Sequence, residues 1–185
     1  MKVIAICSSP RKSSNSRALA ENFLAGAKEN GADTELIILS GKNIKACHAD
    51  GSCKADQAKR CAVSDDMQAI YDSITAADVI AFASPVYFSR MNGPMYTFID
   101  RLYGLIGPQG SRIPAGKKAV SFLTCGGGPE EVMVQIHKDL MSSLSYFGMQ
   151  CAGKVLVSGV NPEGEITKFP EKLAEAKALG KSLSA

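Results

Sequence analysis

Short apolar runs recur along this chain, and each is followed by a stretch with helical periodicity. Val3-Ile4-Ala5-Ile6-Cys7, Thr34-Glu35-Leu36-Ile37-Ile38-Leu39, Val79-Ile80-Ala81-Phe82-Ala83, Lys118-Ala119-Val120-Ser121-Phe122-Leu123-Thr124 and the segment from Cys151 to Val157 read as five strands. An apolar run without polar alternation belongs to a strand covered on both faces, the situation of a parallel sheet. Between the runs, Leu19, Phe23 and Ala27 recur at helical spacing until Asn30-Gly31. Met67, Ile70 and Ile74 do the same after Asp65-Asp66, acidic residues that suit a helix start. Further stripes are Met95-Phe98-Ile99-Leu102-Tyr103, then Val132-Ile136-Leu140-Leu144 behind a Pro129 suited to a first helical position, and Leu173-Ala176-Leu179-Leu183. Right-handed crossovers between such strands leave an α/β three-layer sandwich on a five-stranded, doubly wound parallel sheet.

The 185 residues suffice for one domain, 1–185, with its own core, and no repeat or linker marks a boundary. A formal charge of +3, scattered along the chain, gives no footprint for nucleic acid. The apolar opening is too short for a secretion signal and reads as the first strand. No run approaches the ~20 apolar residues of a membrane span. A cytoplasmic protein is expected, with its six cysteines kept as thiols or metal ligands.

In such a sheet, ligands bind beyond the carboxyl ends of the strands. Three strand-end segments have unusual compositions. Ser8-Ser9-Pro10-Arg11-Lys12-Ser13-Ser14-Asn15-Ser16 joins the first strand to a helix. Free backbone N–H groups, hydroxyls and a guanidinium at a helix start make an anion cradle. No dinucleotide G-x-G-x-x-G or triphosphate-loop pattern is present, so a single terminal phosphate is implied. Ser84-Pro85-Val86-Tyr87-Phe88-Ser89-Arg90-Met91-Asn92-Gly93 places aromatic rings at the mouth. Thr124-Cys125-Gly126-Gly127-Gly128 offers backbone that a ligand edge can approach closely. Together these describe a pocket for a phosphorylated planar heterocycle, and flavin mononucleotide (FMN) matches best.

The chain resembles the NADPH-dependent FMN reductase family of flavodoxin-like proteins, and within it the iron–sulfur flavoprotein branch. The residues that carry the likeness are 8–16, Ser64-Asp65-Asp66-Met67, Ser84-Pro85-Val86-Tyr87-Phe88 and Phe98-Ile99-Asp100-Arg101, in the family's order. The resemblance implies a flavodoxin-like strand order 2-1-3-4-5. It implies that Ser9, Pro10, Arg11, Ser14, Asn15 and Ser16 form the phosphate loop. Pro85, Val86, Tyr87 and Phe88 would line the isoalloxazine, with Thr124, Gly126 and Gly127 at the ring edge. It further implies NAD(P)H as co-substrate, a quinone, free flavin or other small acceptor, and a homodimer or homotetramer. Two other functions stand beside this one: an electron carrier fed by a ferredoxin-like partner, and a non-enzymatic flavodoxin-like binding module.

The sequence departs from the branch pattern in an insertion at about 44–64. The branch resembles C-x2-C-x2-C-x4–7-C, whereas this chain has Cys47, Asp50, Cys53 and then Cys61. Three readings stay open: a cluster with Asp50 as fourth ligand, a zinc site of Cys47, His48, Cys53 and Cys61, and a loop without metal that covers the flavin or meets a subunit. No metal ligand is assigned. Cys7 and Cys151 read as small core side chains, and Cys125 as packing near the ring. His137 reads as solvent-exposed on its helix, and Asp100-Arg101 as an ion pair or a backbone anchor. The Met and aromatic stripe at 95–103 reads as core or dimer face. No catalytic acid or base is named, because flavin chemistry asks the protein for orientation and for donors near the ring.

Overall fold

The computed structural model describes residues 1–185. Five strands run through its centre: β1 (Lys2–Cys7), β2 (Asp33–Ile38), β3 (Val79–Tyr87), β4 (Lys118–Thr124) and β5 (Gln150–Val157). All are parallel, in the order β2-β1-β3-β4-β5. The helices are α1 (Asn15–Glu29), α2 (Met67–Ala76), α3 (Gly93–Arg101), α4 (Glu130–Ser145) and α5 (Pro170–Leu183). The architecture is the doubly wound sandwich expected from the alternation of runs, in the flavodoxin-like strand order that the resemblance implies.

Each face of the sheet has its own core. Val3, Ala5, Val79, Ala81, Val120 and Phe122 point toward α1 and α5. Ile4, Ile6, Ile80, Phe82 and Leu123 point toward α2, α3 and α4. A side-chain period of two sends alternate residues of one continuous apolar run to opposite layers, so both layers are filled. On the first face, α1 and α5 approach closely at two glycines: a Cβ on Gly26 would lie 2.0 Å from the Lys177 carbonyl oxygen, and one on Gly180 would lie 1.9 Å from that of Phe23.

Several expectations need correction. β3 does not stop at Ala83 but runs to Tyr87 and folds back on Arg90–Met91 as a hairpin. Its tip residues Phe88 and Ser89 both have left-handed backbones, φ +49° and +59°, the conformation of a type I′ turn. Such turns normally carry Asn-Gly, so nothing in the residue types announced this one. Pro129 caps α4 rather than opening it. Cys151 is exposed on the outer strand, not in the core. His137 is buried, on the stripe Met133-His137-Leu140-Leu144 that α4 turns toward the sheet. Within the 95–103 stripe, Met95, Phe98 and Leu102 are core, and Tyr103 is exposed.

Arg101 pairs not with Asp100 but with Asp65. It is the largest fully buried side chain of the chain, and both partners are shielded from solvent. Its Nη2 donates to Asp65 Oδ1 at 3.1 Å and its Nη1 to the Lys45 carbonyl at 2.7 Å. Burial opposes the Asp65 charge, but the Arg101 guanidinium and the N–H groups of Lys45 and Met67 outweigh it and hold the carboxyl below its usual range. The same burial opposes the Arg101 charge, and Asp65 keeps it protonated. The pair ties the inserted loop to the start of α2 and the end of α3, and so joins two of the motif segments.

Candidate functional site

The site is built where β1, β3 and β4 end. Ser8 N–H donates to the Ala83 carbonyl at 3.0 Å, which continues the β1–β3 ladder one step past the strand. Beyond it the chain turns away and Ser14 caps α1, its Oγ accepting from the Arg17 N–H at 3.3 Å. Asn15 and Ser16, the first residues of α1, have no earlier helical carbonyl for their N–H groups. Asn15, with buried Ser9 and Ser14, lines a cleft of about 80 Å³ at this end of the helix. The cleft is lined also by Arg11, Pro85, Val86, Tyr87, Thr124 and Gly126.

A second cleft of about 270 Å³ adjoins the first and shares Val86, Cys125 and Gly126 with it. Phe88 and Gly127 border this second part. Neither cleft alone reaches the usual ~300–1,000 Å³ of small-molecule sites, but as one groove they do. The groove runs from a phosphate-sized, donor-rich end to a wider end with glycine backbone and an aromatic rim. Gly127 has open space where a Cβ would stand, whereas a Cβ on Gly126 would come within 3.1 Å of the Asn161 Cβ.

Of the sequence-derived residues, Ser9, Arg11, Ser14, Asn15, Pro85, Val86, Tyr87, Thr124 and Gly126 meet in one cleft. Pro10 is exposed outside it and shapes the loop. Ser16 lies fully buried beneath, its Oγ 3.1 Å from that of Ser14. Phe88 stands almost wholly in solvent, 98% exposed, at the hairpin tip. The Asn15 side chain is engaged in holding its neighbours: Nδ2 donates to the Pro162 carbonyl at 2.9 Å, and Oδ1 accepts from the Ile166 N–H at 3.0 Å. Its contribution to the cleft is therefore its backbone N–H.

Three contributors carry no sequence signature of their own or only a faint one. Val160 and Asn161 close one wall from the loop after β5. Arg11 Nη1 donates to the Asn161 carbonyl, and Ser13 N–H donates to a Glu163 carboxylate oxygen at 3.3 Å. This loop has no periodicity to betray it. Asn92, buried at the start of α3, donates from Nδ2 to the Ser8 carbonyl at 2.8 Å and accepts from Ser84 Oγ at 3.2 Å. It locks the loop after β1 to the hairpin that follows β3. An asparagine just before Gly-Pro was the available signal.

The inserted loop forms a separate feature. Cys47, His48, Asp50, Cys53 and Cys61 line a cavity of about 290 Å³ with Arg101 and Tyr103. No three His, Cys, Asp or Glu side chains are arranged to hold a metal ion. Asp50 Oδ1 accepts from both the Ser52 hydroxyl, at 2.6 Å, and the Ser52 N–H, at 2.9 Å, which holds its pKa below the usual range. Three thiols that do not converge and a carboxylate already engaged do not fit a cubane cluster or a zinc ion. Cations hold the loop instead. Arg112 donates to the carbonyls of Cys53, Asp56, Gln57 and Gly104 at 2.7–2.9 Å. Lys54 reaches the Tyr103 carbonyl at 3.0 Å and lies over its ring.

A doubly wound parallel sheet in the order β2-β1-β3-β4-β5, with clefts at its strand ends, defines a flavodoxin-like protein. The chain belongs to the NADPH-dependent FMN reductase family, whose model matches residues 1–162. It is 31% identical to an iron-sulfur flavoprotein of Archaeoglobus fulgidus, over 100% of this chain and 79% of the relative. It is 33% identical to an iron-sulfur flavoprotein of Methanosarcina thermophila, over 74% and 71%. Among solved structures it resembles an NAD(P)H:quinone oxidoreductase from Methanothermobacter marburgensis, with TM-score 0.77 and 22% identity, covering 100% of this chain and 98% of that one. Family membership makes the chain an FMN-dependent, NAD(P)H-linked oxidoreductase, as the sequence led us to expect.

Proposed function

We propose that this chain carries FMN in the groove between loop 9–16 and residues 124–128 and uses NAD(P)H to reduce a small acceptor such as a quinone, a free flavin or another planar aromatic. The observation that carries this reading is the shape of the groove, with its donors gathered at one end and an open glycine edge at the other. The residues fit the group: the buried hydroxyl residues Ser9 and Ser14, Asn15 at the start of α1 and the basic Arg11 line the narrow end of the groove. The chemistry supplied by bound FMN is acceptance of a hydride from NAD(P)H and delivery of two electrons to the acceptor.

The protein's part is binding, orientation and electrostatics. Ser9 and Ser14 hydroxyls and the positive end of α1 hold the phosphate. Arg11 has five N–H donors and spends only one, on Asn161, so its fork stays available at the mouth. Pro85, Val86 and Tyr87 form a wall for one face of the ring. Thr124, Gly126 and Gly127 bring backbone to its edge, where N–H donors stabilise negative charge in the reduced ring. No side chain needs to move a proton. Phe88 projects where a second planar molecule would enter.

As finer parts of the same reading, residues 1–185 act as one domain, the protein works in the cytoplasm, and it forms a homodimer or homotetramer. All six cysteines are free, which suits a reducing compartment. No helix is long and apolar enough to cross a membrane. The test is Arg11→Ala. FMN affinity should fall about 10- to 100-fold, the worth of one charge-assisted hydrogen bond. Unchanged affinity removes Arg11 from the site.

A further inference from the structure

Away from the groove, three chemistry-bearing side chains from three elements meet at the start of β5. Ser121 Oγ on β4 lies 2.8 Å from His137 Nδ1 on α4, and His137 Nε2 lies 3.5 Å from Cys151 Sγ on β5. Ser121 is fully buried and His137 nearly so, while Cys151 opens to solvent on the outermost strand. Lys154 is paired in register with Ser121 and exposed, which adds an ammonium to the same face. Register also places the cluster at the far end of the sheet from the groove. Cys151 sits opposite Ala119, whereas the groove begins at Thr124 opposite Val157, about 17–20 Å further along.

We infer that Cys151 is a thiol–disulfide exchange site, made reactive by His137 and open to small, low-molecular-weight disulfides. The direction of the hydrogen bonds follows from Ser121. Its buried hydroxyl has no partner except His137 Nδ1, so it donates there. The imidazole proton is then on Nε2, aimed at Cys151 Sγ. Burial, and to a lesser extent Lys154, pushes the His137 pKa down and keeps the ring neutral, so it serves as a donor rather than a base. A donor at sulfur, a nearby ammonium and solvent access are the surroundings in which a cysteine attacks as the thiolate.

The step balances without any other reactant. Cys151 thiolate attacks one sulfur of R–S–S–R, a Cys151–S–S–R bond forms, and the R–S–S–R bond breaks. The thiolate R–S⁻ leaves, so Cys151 sulfur is oxidised and the departing sulfur is reduced. The other cysteines lack this setting. Cys7, Cys53 and Cys125 are buried and Cys61 is half-buried. Cys47 is exposed but receives only a backbone N–H, from Ala49 at 3.4 Å.

The experiment treats the whole folded protein with 5,5′-dithiobis(2-nitrobenzoate), an aromatic disulfide, and follows each cysteine by peptide mapping. Cys151 should be modified first. His137→Phe should slow it about tenfold relative to Cys47 in the same molecules, the loss expected when the Nε2 donor at Cys151 Sγ is removed. Should His137→Phe fail to fold, Ser121→Ala takes its place, since it releases the Nδ1 contact that fixes the ring proton on Nε2. Modification of Cys47 ahead of Cys151, or an unchanged Cys151-to-Cys47 rate ratio in the folded variants, overturns the inference.

Discussion

Arg101 and Asp65 illustrate how one buried pair carries weight beyond its own contacts. Replacing Asp65 with Asn leaves the guanidinium buried without a counter-charge, and the loss should be about 3–5 kcal/mol in urea unfolding. The pH dependence has a definite sign. Asp65 has a depressed pKa when folded, so its contribution is present above the ordinary carboxylate value of ~3.9 and is lost as pH falls through the folded value. His137 acts in a higher window. Its folded pKa is lowered, so the unfolded chain binds more protons and stability falls as pH drops below about 6.5. Unfolding of Asp65→Asn measured across pH should therefore differ most from wild type near neutrality and converge with it in strong acid. A constant difference down to strong acid contradicts the pair's role.

At the scale of elements, the contact between α1 and α5 is the most exacting. Gly26 and Gly180 let the two backbones approach to the point where a single Cβ collides with a carbonyl oxygen. Gly180→Ala must push the helices apart and should lower stability by about 1–3 kcal/mol, read as a fall in Tm. An unchanged Tm contradicts that packing. Elements are also where the sequence speaks most clearly. Strands covered on both faces announce themselves as unbroken apolar runs, and all five were legible. The hairpin after β3 was not, because Phe88 and Ser89 occupy left-handed positions usually reserved for Asn and Gly. The burial of His137 was hidden because Ile136 and Leu140 define one stripe while Met133, His137, Leu140 and Leu144 define another. Ser121, on the face of β4 that α4 covers, decides which stripe includes the histidine.

On the scale of the whole molecule, the sheet's switch point gathers segments that are remote in sequence. Loop 9–16 and the ends of β3 and β4 carried their own chemical signatures, hydroxyls, aromatics and glycines, so that part of the groove was legible. The wall from Val160 and Asn161 was not, since what places it is a set of long-range bonds to Arg11, Ser13 and Asn15. The cysteine loop shows the same limit from the other side. Its spacing left a cluster, a zinc site and a loop without metal open, and what shapes it is Asp50 tied to Ser52 and the bonds from Arg112 and Lys54, none of which the cysteine pattern announces.

The most direct measurement compares equilibrium binding of FMN and of riboflavin, which differ only in the phosphate. If the amide- and hydroxyl-lined turn after β1 grips that group, FMN should bind at least about 100-fold more tightly, the worth of two charge-assisted hydrogen bonds. Equal affinities for the two flavins would contradict the account.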